Sequence, residues 1–259
     1  MDLQLTGQRA VITGGSRGIG LAVARVLVAE GADVALVARD PSRLRDAAAS
    51  LAALGGGRVV TAACDTGDGK AVTAMAAHVR SQLGGVEILV NSAALVNTGP
   101  MSDEMLDEQL NVKVKGYLRC ARAFAPGMVA GGWGRIINIS GMAARQTGSV
   151  VGSVRNVAVS AMTKNLADEY GPAGINVTVV HPGVTVTERT PDTLDAIAVA
   201  RGTTPDEVRS SMERAVSIGR LVTAEEVADV VAFLSSPLSV AINGDAIVAG
   251  GGVRGSIYY

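Results

Sequence analysis

The run Thr13-Gly14-Gly15-Ser16-Arg17-Gly18-Ile19-Gly20 lies between a short apolar stretch and a helical pattern that starts near Leu21. Glycines at these places let the backbone turn tightly and approach a pyrophosphate, and the following helix start offers free N–H groups with a partial positive charge. A glycine cluster after a strand and before a helix, in the first unit of the chain, points to dinucleotide binding rather than to a plain turn. The expected contacts are Gly14, Ser16, Arg17, Gly18, Ile19 and Gly20. A second signal closes the second apolar run. An acidic residue there usually holds a ribose 2'-hydroxyl, but the position is Ala38, followed by Arg39, with Arg17 inside the glycine loop. Two guanidiniums favour a 2'-phosphate, and so NADP(H) over NAD(H), because Arg grips phosphate through paired hydrogen bonds. Asp40 is the counter-signal, able to pair with Arg39 or to hold a ribose.

Short apolar runs that must carry this site recur at Ala10–Thr13, Val34–Val37, Val59–Ala63, Ile88–Val90, Arg135–Ile139, Asn176–His181 and Ala246–Val248. Amphipathic stretches such as Leu21–Glu30, Pro41–Leu54, Lys70–Leu83, Leu106–Ala130 and Asn156–Tyr170 separate them, each long enough for a crossover helix. Strands that are apolar throughout and alternate with helices predict a doubly wound α/β fold. It is a Rossmann-type parallel sheet of about seven strands with helices on both faces, in one domain over 1–259. Residues 188–217 break the rhythm and read as two short helices begun at Thr190-Pro191 and Thr204-Pro205. Such an excursion beyond a strand's C-terminal end fits a substrate lid, or a helical hairpin used only for packing.

Together these motifs resemble the short-chain dehydrogenase/reductase family over nearly the whole chain. Asp65 resembles the family's adenine-contacting Asp, Asn91-Ser92-Ala93-Ala94 its NNAG turn, and Pro182-Gly183 through Thr187 the segment that touches the nicotinamide. The resemblance thus adds Asp65, Asn91, Ala93, Pro182, Gly183 and Thr187 to the expected cofactor contacts. It also implies a hydride exchange with a small carbonyl or alcohol substrate and assembly as a homotetramer through the two long helices after the fourth and fifth strands.

The family's acid chemistry does not map onto this chain. Its members carry a Ser, and a Tyr with a Lys four residues on, whose shared helical face lets the ammonium act on the phenol. The tyrosines here are Tyr117, Tyr170, Tyr258 and Tyr259, and none is followed by Lys at that spacing. Matching Gly134–Gly141 to the family's strand puts Gly141 at the Ser position, with Ser140 one residue early. The Tyr and Lys positions fall at Gly152 and Asn156, and Lys113 stands where an Asn is expected, with Asn111 nearby. Two glycines in place of larger polar residues predict a cavity beside the nicotinamide.

Replacement groups can be weighed on chemistry. Lys113, if buried, would have a lowered pKa and could act as an acid, or it is an ordinary helix lysine. His181 titrates in a useful range, or is a structural strand-end residue. Asn156 can hydrogen-bond ribose hydroxyls. Arg145 and Arg155 flank the site and suit an anionic substrate, but keep their protons. Three readings stay open: an atypical NADP(H)-dependent oxidoreductase, a non-redox lyase, dehydratase or isomerase on the same scaffold, and a nucleotide-binding sensor or non-catalytic subunit.

Composition narrows the partners. The 259 residues are 48% hydrophobic and 18% charged with a net charge of -1, and no run of one sign suggests a nucleic acid or a polybasic membrane contact. The absence of a transmembrane-length apolar stretch and of a basic-then-apolar opening leads us to expect a cytoplasmic protein that does not engage a membrane. Cys64 and Cys120, far apart and without a CxxC, read as buried free thiols, and no metal site is expected.

Overall fold

The computed structural model describes residues 1–95 and 102–254. Each apolar run becomes a strand: β1 (Arg9–Thr13), β2 (Asp33–Ala38), β3 (Val59–Ala63), β4 (Ile88–Asn91), β5 (Gly134–Ile139) and β6 (Ile175–Pro182), with the last run as the sheet's edge. Two two-residue strands come between, β7 (Thr185–Val186) and β8 (Val222–Thr223), so the edge strand is β9 (Ala246–Ala249). The large sheet is parallel, in the order β3-β2-β1-β4-β5-β6-β9. Chain direction across the sheet reverses between β1 and β4, where Thr13 lies between Val37 and Asn91 in register. A crevice opens at such a switch point, beyond the strands' C-terminal ends.

Helices α1 (Gly18–Ala29), α2 (Pro41–Ala52) and α3 (Gly69–Leu83) follow the first three strands. Side chains alternate across each strand, so both faces need cover. On one face Ile12, Leu36, Ile137 and Val180 pack with Val23 and Leu27 of α1. On the other, Val11, Val37, Leu89 and Ile136 meet Met75 and Val79 of α3.

The expected continuous helix over Leu106–Ala130 is divided. α4 (Asp103–Gln109) leads into a wide π turn, Leu110–Lys115, before α5 (Gly116–Gly131). Gly116 packs against Thr66, whose Oγ1 would lie 3.0 Å from any Cβ there. Arg119 pins the turn by donating to the carbonyls of Thr66 and Asn111. Turns of this kind are frequent at functional sites. α6 (Val150–Tyr170) follows β5.

The excursion forms two helices as its Thr-Pro pairs predict, α7 (Thr190–Arg201) and α8 (Pro205–Arg214). Thr204 and Glu207 cap α8 reciprocally, and Gly202 ends α7 in the left-handed region. Leu194, Ala198 and Val208 form a small core of their own, with Ile197 and Met212 packed against it. The pairing of β7 with β8 at its base has no forewarning in such short segments. α9 (Ala224–Ser235) then covers the sheet with Val227 and Val231. Among the described residues no helix is long and apolar enough to cross a membrane.

Candidate active site

A single cleft of about 680 Å³ runs across the switch point, from the tip of β2 to the start of α6. At one end stands the glycine loop. Gly14 has a positive φ of 70°, and a Cβ on it would lie 2.9 Å from the Ser92 carbonyl oxygen, while one on Gly20 would lie 2.4 Å from the Gly14 carbonyl oxygen. The loop therefore packs directly on the turn after β4 and on itself. Thr13 fixes that turn, its hydroxyl accepting from the Ser92 and Ala93 amides at 3.1 and 3.2 Å.

The Gly18 amide opens α1 and donates to the Glu188 carboxylate at 3.2 Å. An anionic oxygen thus already sits on the helix start, where a phosphate oxygen would bind. Arg17, Arg39 and Arg43 gather beside it. Burial, and then Arg189, Arg43 and Arg39, hold the Arg17 guanidinium below its usual pKa. Such crowding of like charge fits a phosphorylated ligand. Asp40 pairs with Arg43 at 3.3 Å and caps α2 by accepting from the Ser42 and Arg43 amides, so its carboxylate is engaged without Arg39. Those bonds, with the Ser42 hydroxyl foremost, lower its pKa.

All the expected cofactor contacts line the cleft apart from Asn91. The Asn91 side chain, fully buried, donates to Asn138 Oδ1 at 3.0 Å and ties β4 to β5. The residues present form a cradle suited to a dinucleotide: tight glycines, a helix start and the guanidiniums of Arg17, Arg39, Arg43 and Arg189.

The other end of the cleft is built by the π turn, the end of β5 and the start of α6. Lys113, only 4% exposed, donates from Nζ to the Ser140 carbonyl at 2.9 Å. Burial, with Arg155 adding repulsion, pushes its pKa down to about 7. The Ser140 hydroxyl does not face a ligand; it donates to the Asn156 carbonyl at 3.1 Å. Asn156 is 4% exposed, and its Oδ1 has no hydrogen-bond partner among the described residues. Arg155 donates from Nη1 to the Leu95 carbonyl at 3.3 Å and to Gln109 Oε1. Asn111 turns away, donating to the Gly67 carbonyl, and does not line the cleft.

Two expectations are modified here. Neighbouring side chains come close to both small residues: a Cβ on Gly141 would lie 3.1 Å from Asn156 Nδ2, and one on Gly152 would lie 3.0 Å from Ser149 Oγ. Gly141 lines the cleft, whereas Gly152 is buried against Ser149 and Ala143 and does not. His181 is also outside the lining, 1% exposed within β6. Burial first, then Arg145 and Lys113, hold its pKa down to about 4, so it is neutral and sealed at physiological pH. Tyr117 is 1% exposed and donates to the Ile139 carbonyl at 3.0 Å, its phenol pushed up in pKa by burial. Among the described residues no tyrosine lines the cleft; Tyr258 and Tyr259 lie outside them.

The comparisons with known proteins agree on the family and the fold. A family model described as enoyl-(acyl carrier protein) reductase matches residues 14–254. The short-chain reductase protein NovJ of Streptomyces niveus is 35% identical over 249 residues, covering 94% of this chain and 92% of its own. The chain belongs to the short-chain dehydrogenase/reductase family. Among solved relatives, L-sorbose reductase from Gluconobacter frateurii, complexed with NADPH and L-sorbose, superposes with a TM-score of 0.93 at 33% identity. That match covers 99% of this chain and all of the other. A variant of actinorhodin polyketide ketoreductase with NADPH superposes at 0.90 with 30% identity, covering 96% and 98%. Both solved relatives are reductases whose structures hold NADPH.

Sequence reasoning missed Arg43, Glu188 and Arg189. Arg43, in the first turn of α2, and Arg189, just before α7, add guanidiniums to Arg17 and Arg39, and only the fold brings them together. Glu188 is brought to the glycine loop across 170 residues, and no local pattern marks it.

Proposed function

We propose that this protein is an NADP(H)-dependent reductase of a small carbonyl compound in which Lys113 takes the place of the family's tyrosine as proton donor. The observation that carries the reading is the Lys113 ammonium, buried at the cleft wall and held on the Ser140 carbonyl. When bound, the nicotinamide supplies a hydride to the carbonyl carbon. Reduction also needs a donor at the developing alkoxide, and an ammonium with a pKa of about 7 both stabilises that charge and gives up its proton near neutrality. The Ser140 carbonyl orients Nζ. Asn156 offers its free Oδ1 to a ribose hydroxyl. Relative to the family pattern, amide and ammonium have changed places between the two helices.

Arg17, Arg39 and Arg43 support preference for a 2'-phosphate, as do the NADPH-bound relatives. Residues 188–217 are proposed as the substrate lid, hinged beside the cleft-lining Thr187 and Glu188. A homotetramer is supported by exposed Val150, Val154 and Val157, spaced along one face of α6. The absence of a cleft tyrosine among the described residues also favours a second reading, a nucleotide-binding subunit without turnover. NADPH oxidation with ketones, aldehydes and imines, with Lys113→Ala alongside, separates the two. Turnover that the substitution lowers at least a hundredfold supports the first reading. Turnover that survives it removes Lys113 from the chemistry, and NADPH binding without turnover supports the second reading.

A further inference from the structure

Among the described residues the catalytic end of the cleft carries two cations and no acidic side chain. Lys113 and Arg155 both line it, and Arg155 is among the causes that lower the Lys113 pKa, so the two charges oppose one another. The acids that line the cleft are elsewhere and engaged: Asp40 caps α2, Asp65 accepts from the Gly67 amide at 2.8 Å, and Glu188 sits on the Gly18 amide. The segment 96–101, outside the described residues, contains no Asp or Glu.

Arg155 is held as a binding group would be. Gln109, 2% exposed and itself donating to the Leu95 carbonyl, accepts from Arg155 Nη1, which also donates to that carbonyl. The guanidinium is thereby fixed on one side. Its Nε is buried and has no partner among the described residues. A buried guanidinium donor without an acceptor is costly, and a purely structural arginine would be expected to have its edge satisfied. A carboxylate would accept from that edge and would also relieve the repulsion between the two cations.

Resting on the reading of this cleft as a carbonyl-reducing site, we infer that the substrate is an oxo acid whose carboxylate is bound by Arg155 while its carbonyl oxygen faces Lys113. Arg155 is then the residue that sets specificity. In the reaction the carbonyl carbon gains hydride from NADPH, the oxygen gains the Lys113 proton, and a hydroxy acid and NADP+ are formed; bulk water returns the proton to Lys113.

The test compares 2-oxobutyrate with its methyl ester as substrates, in wild type, Arg155→Gln and Arg155→Lys. Wild type should use the acid at least tenfold better in kcat/KM. Arg155→Gln should bring that ratio near one through KM, and Arg155→Lys should keep part of it. An ester used as well as the acid, or a preference that survives Arg155→Gln, overturns the inference. A second readout does not depend on turnover. Oxamate should raise the melting temperature of the NADPH-bound wild type and not that of Arg155→Gln, with Arg155→Lys as the control should the Gln variant fail to fold, and neutral oxamide should raise none. If neither ketone form is reduced but oxamate stabilises in this pattern, the redox reading falls and the anion site stands. If oxamate has no effect on wild type, the anion site falls.

Discussion

Replacing Lys113 by Met should make the protein more stable in acid than in base, relative to wild type. The side chain keeps its length and loses its charge. In the folded state the ammonium has a pKa of about 7, against 10.5 for an ordinary lysine. Between those values the unfolded chain binds a proton that the folded chain does not, so wild-type stability rises with pH across that window. Below pH 7 the whole interval counts against folding, roughly 5 kcal/mol at 1.36 kcal/mol per pH unit. At pH 9 about 2 kcal/mol of that penalty remains. The lost hydrogen bond to the Ser140 carbonyl subtracts about 1 kcal/mol at either pH. Lys113→Met is therefore expected to exceed wild type by about 4 kcal/mol at pH 6 and by about 1 kcal/mol at pH 9. Urea unfolding followed by circular dichroism at the two pH values measures both differences. A gap that stays constant within about 0.5 kcal/mol would refute the claim that this lysine is buried against its charge, and with it the basis for its role as an acid near neutrality.

The same titration predicts catalysis: kcat/KM for reduction should fall as pH rises through about 7, because the donor must hold its proton, and a profile flat from pH 6 to 9 would count against Lys113. Glu188→Gln should tighten NADPH severalfold in fluorescence titration, since the carboxylate competes for the Gly18 amide; weaker binding would show it assists instead. Arg39→Ala and Arg43→Ala should each weaken NADPH about tenfold and leave NADH nearly unchanged, and equal loss for both nucleotides would remove the 2'-phosphate from the argument. Gly20→Ala places a methyl 2.4 Å from the Gly14 carbonyl oxygen, so nucleotide binding should be lost and the melting temperature lowered; normal NADPH affinity would mean that the loop can relax.

The scaffold was readable because its signals are local and repeated. Val34–Val37 is a short apolar run set between helical patterns, as a strand covered on both faces requires, and the glycine loop follows the first of the strands directly. Short elements escaped because Thr185–Val186 and Val222–Thr223 gain strand geometry only from each other. At the catalytic end the sequence could name Lys113, His181 and Asn156 but not divide them. That division depends on depth. The π turn places Lys113 at the cleft wall, while β6 encloses His181, a distinction that composition and spacing do not contain. Arg43 and Glu188 needed the fold as well, the one for the direction of α2 and the other for a contact across most of the chain.

The pairing of β7 with β8 brings the two stems of the excursion side by side, so that residues 187–221 leave and rejoin the main body at neighbouring points. A segment clamped at its neck in this way can lengthen, shorten or be exchanged for a foreign sequence while the strands beneath keep their alignment, since longer closed loops add only slowly to the entropy cost. A graft confined to 190–221 would therefore leave Thr187, Glu188 and Arg189 in the cleft lining, with the Glu188 contact to the Gly18 amide intact.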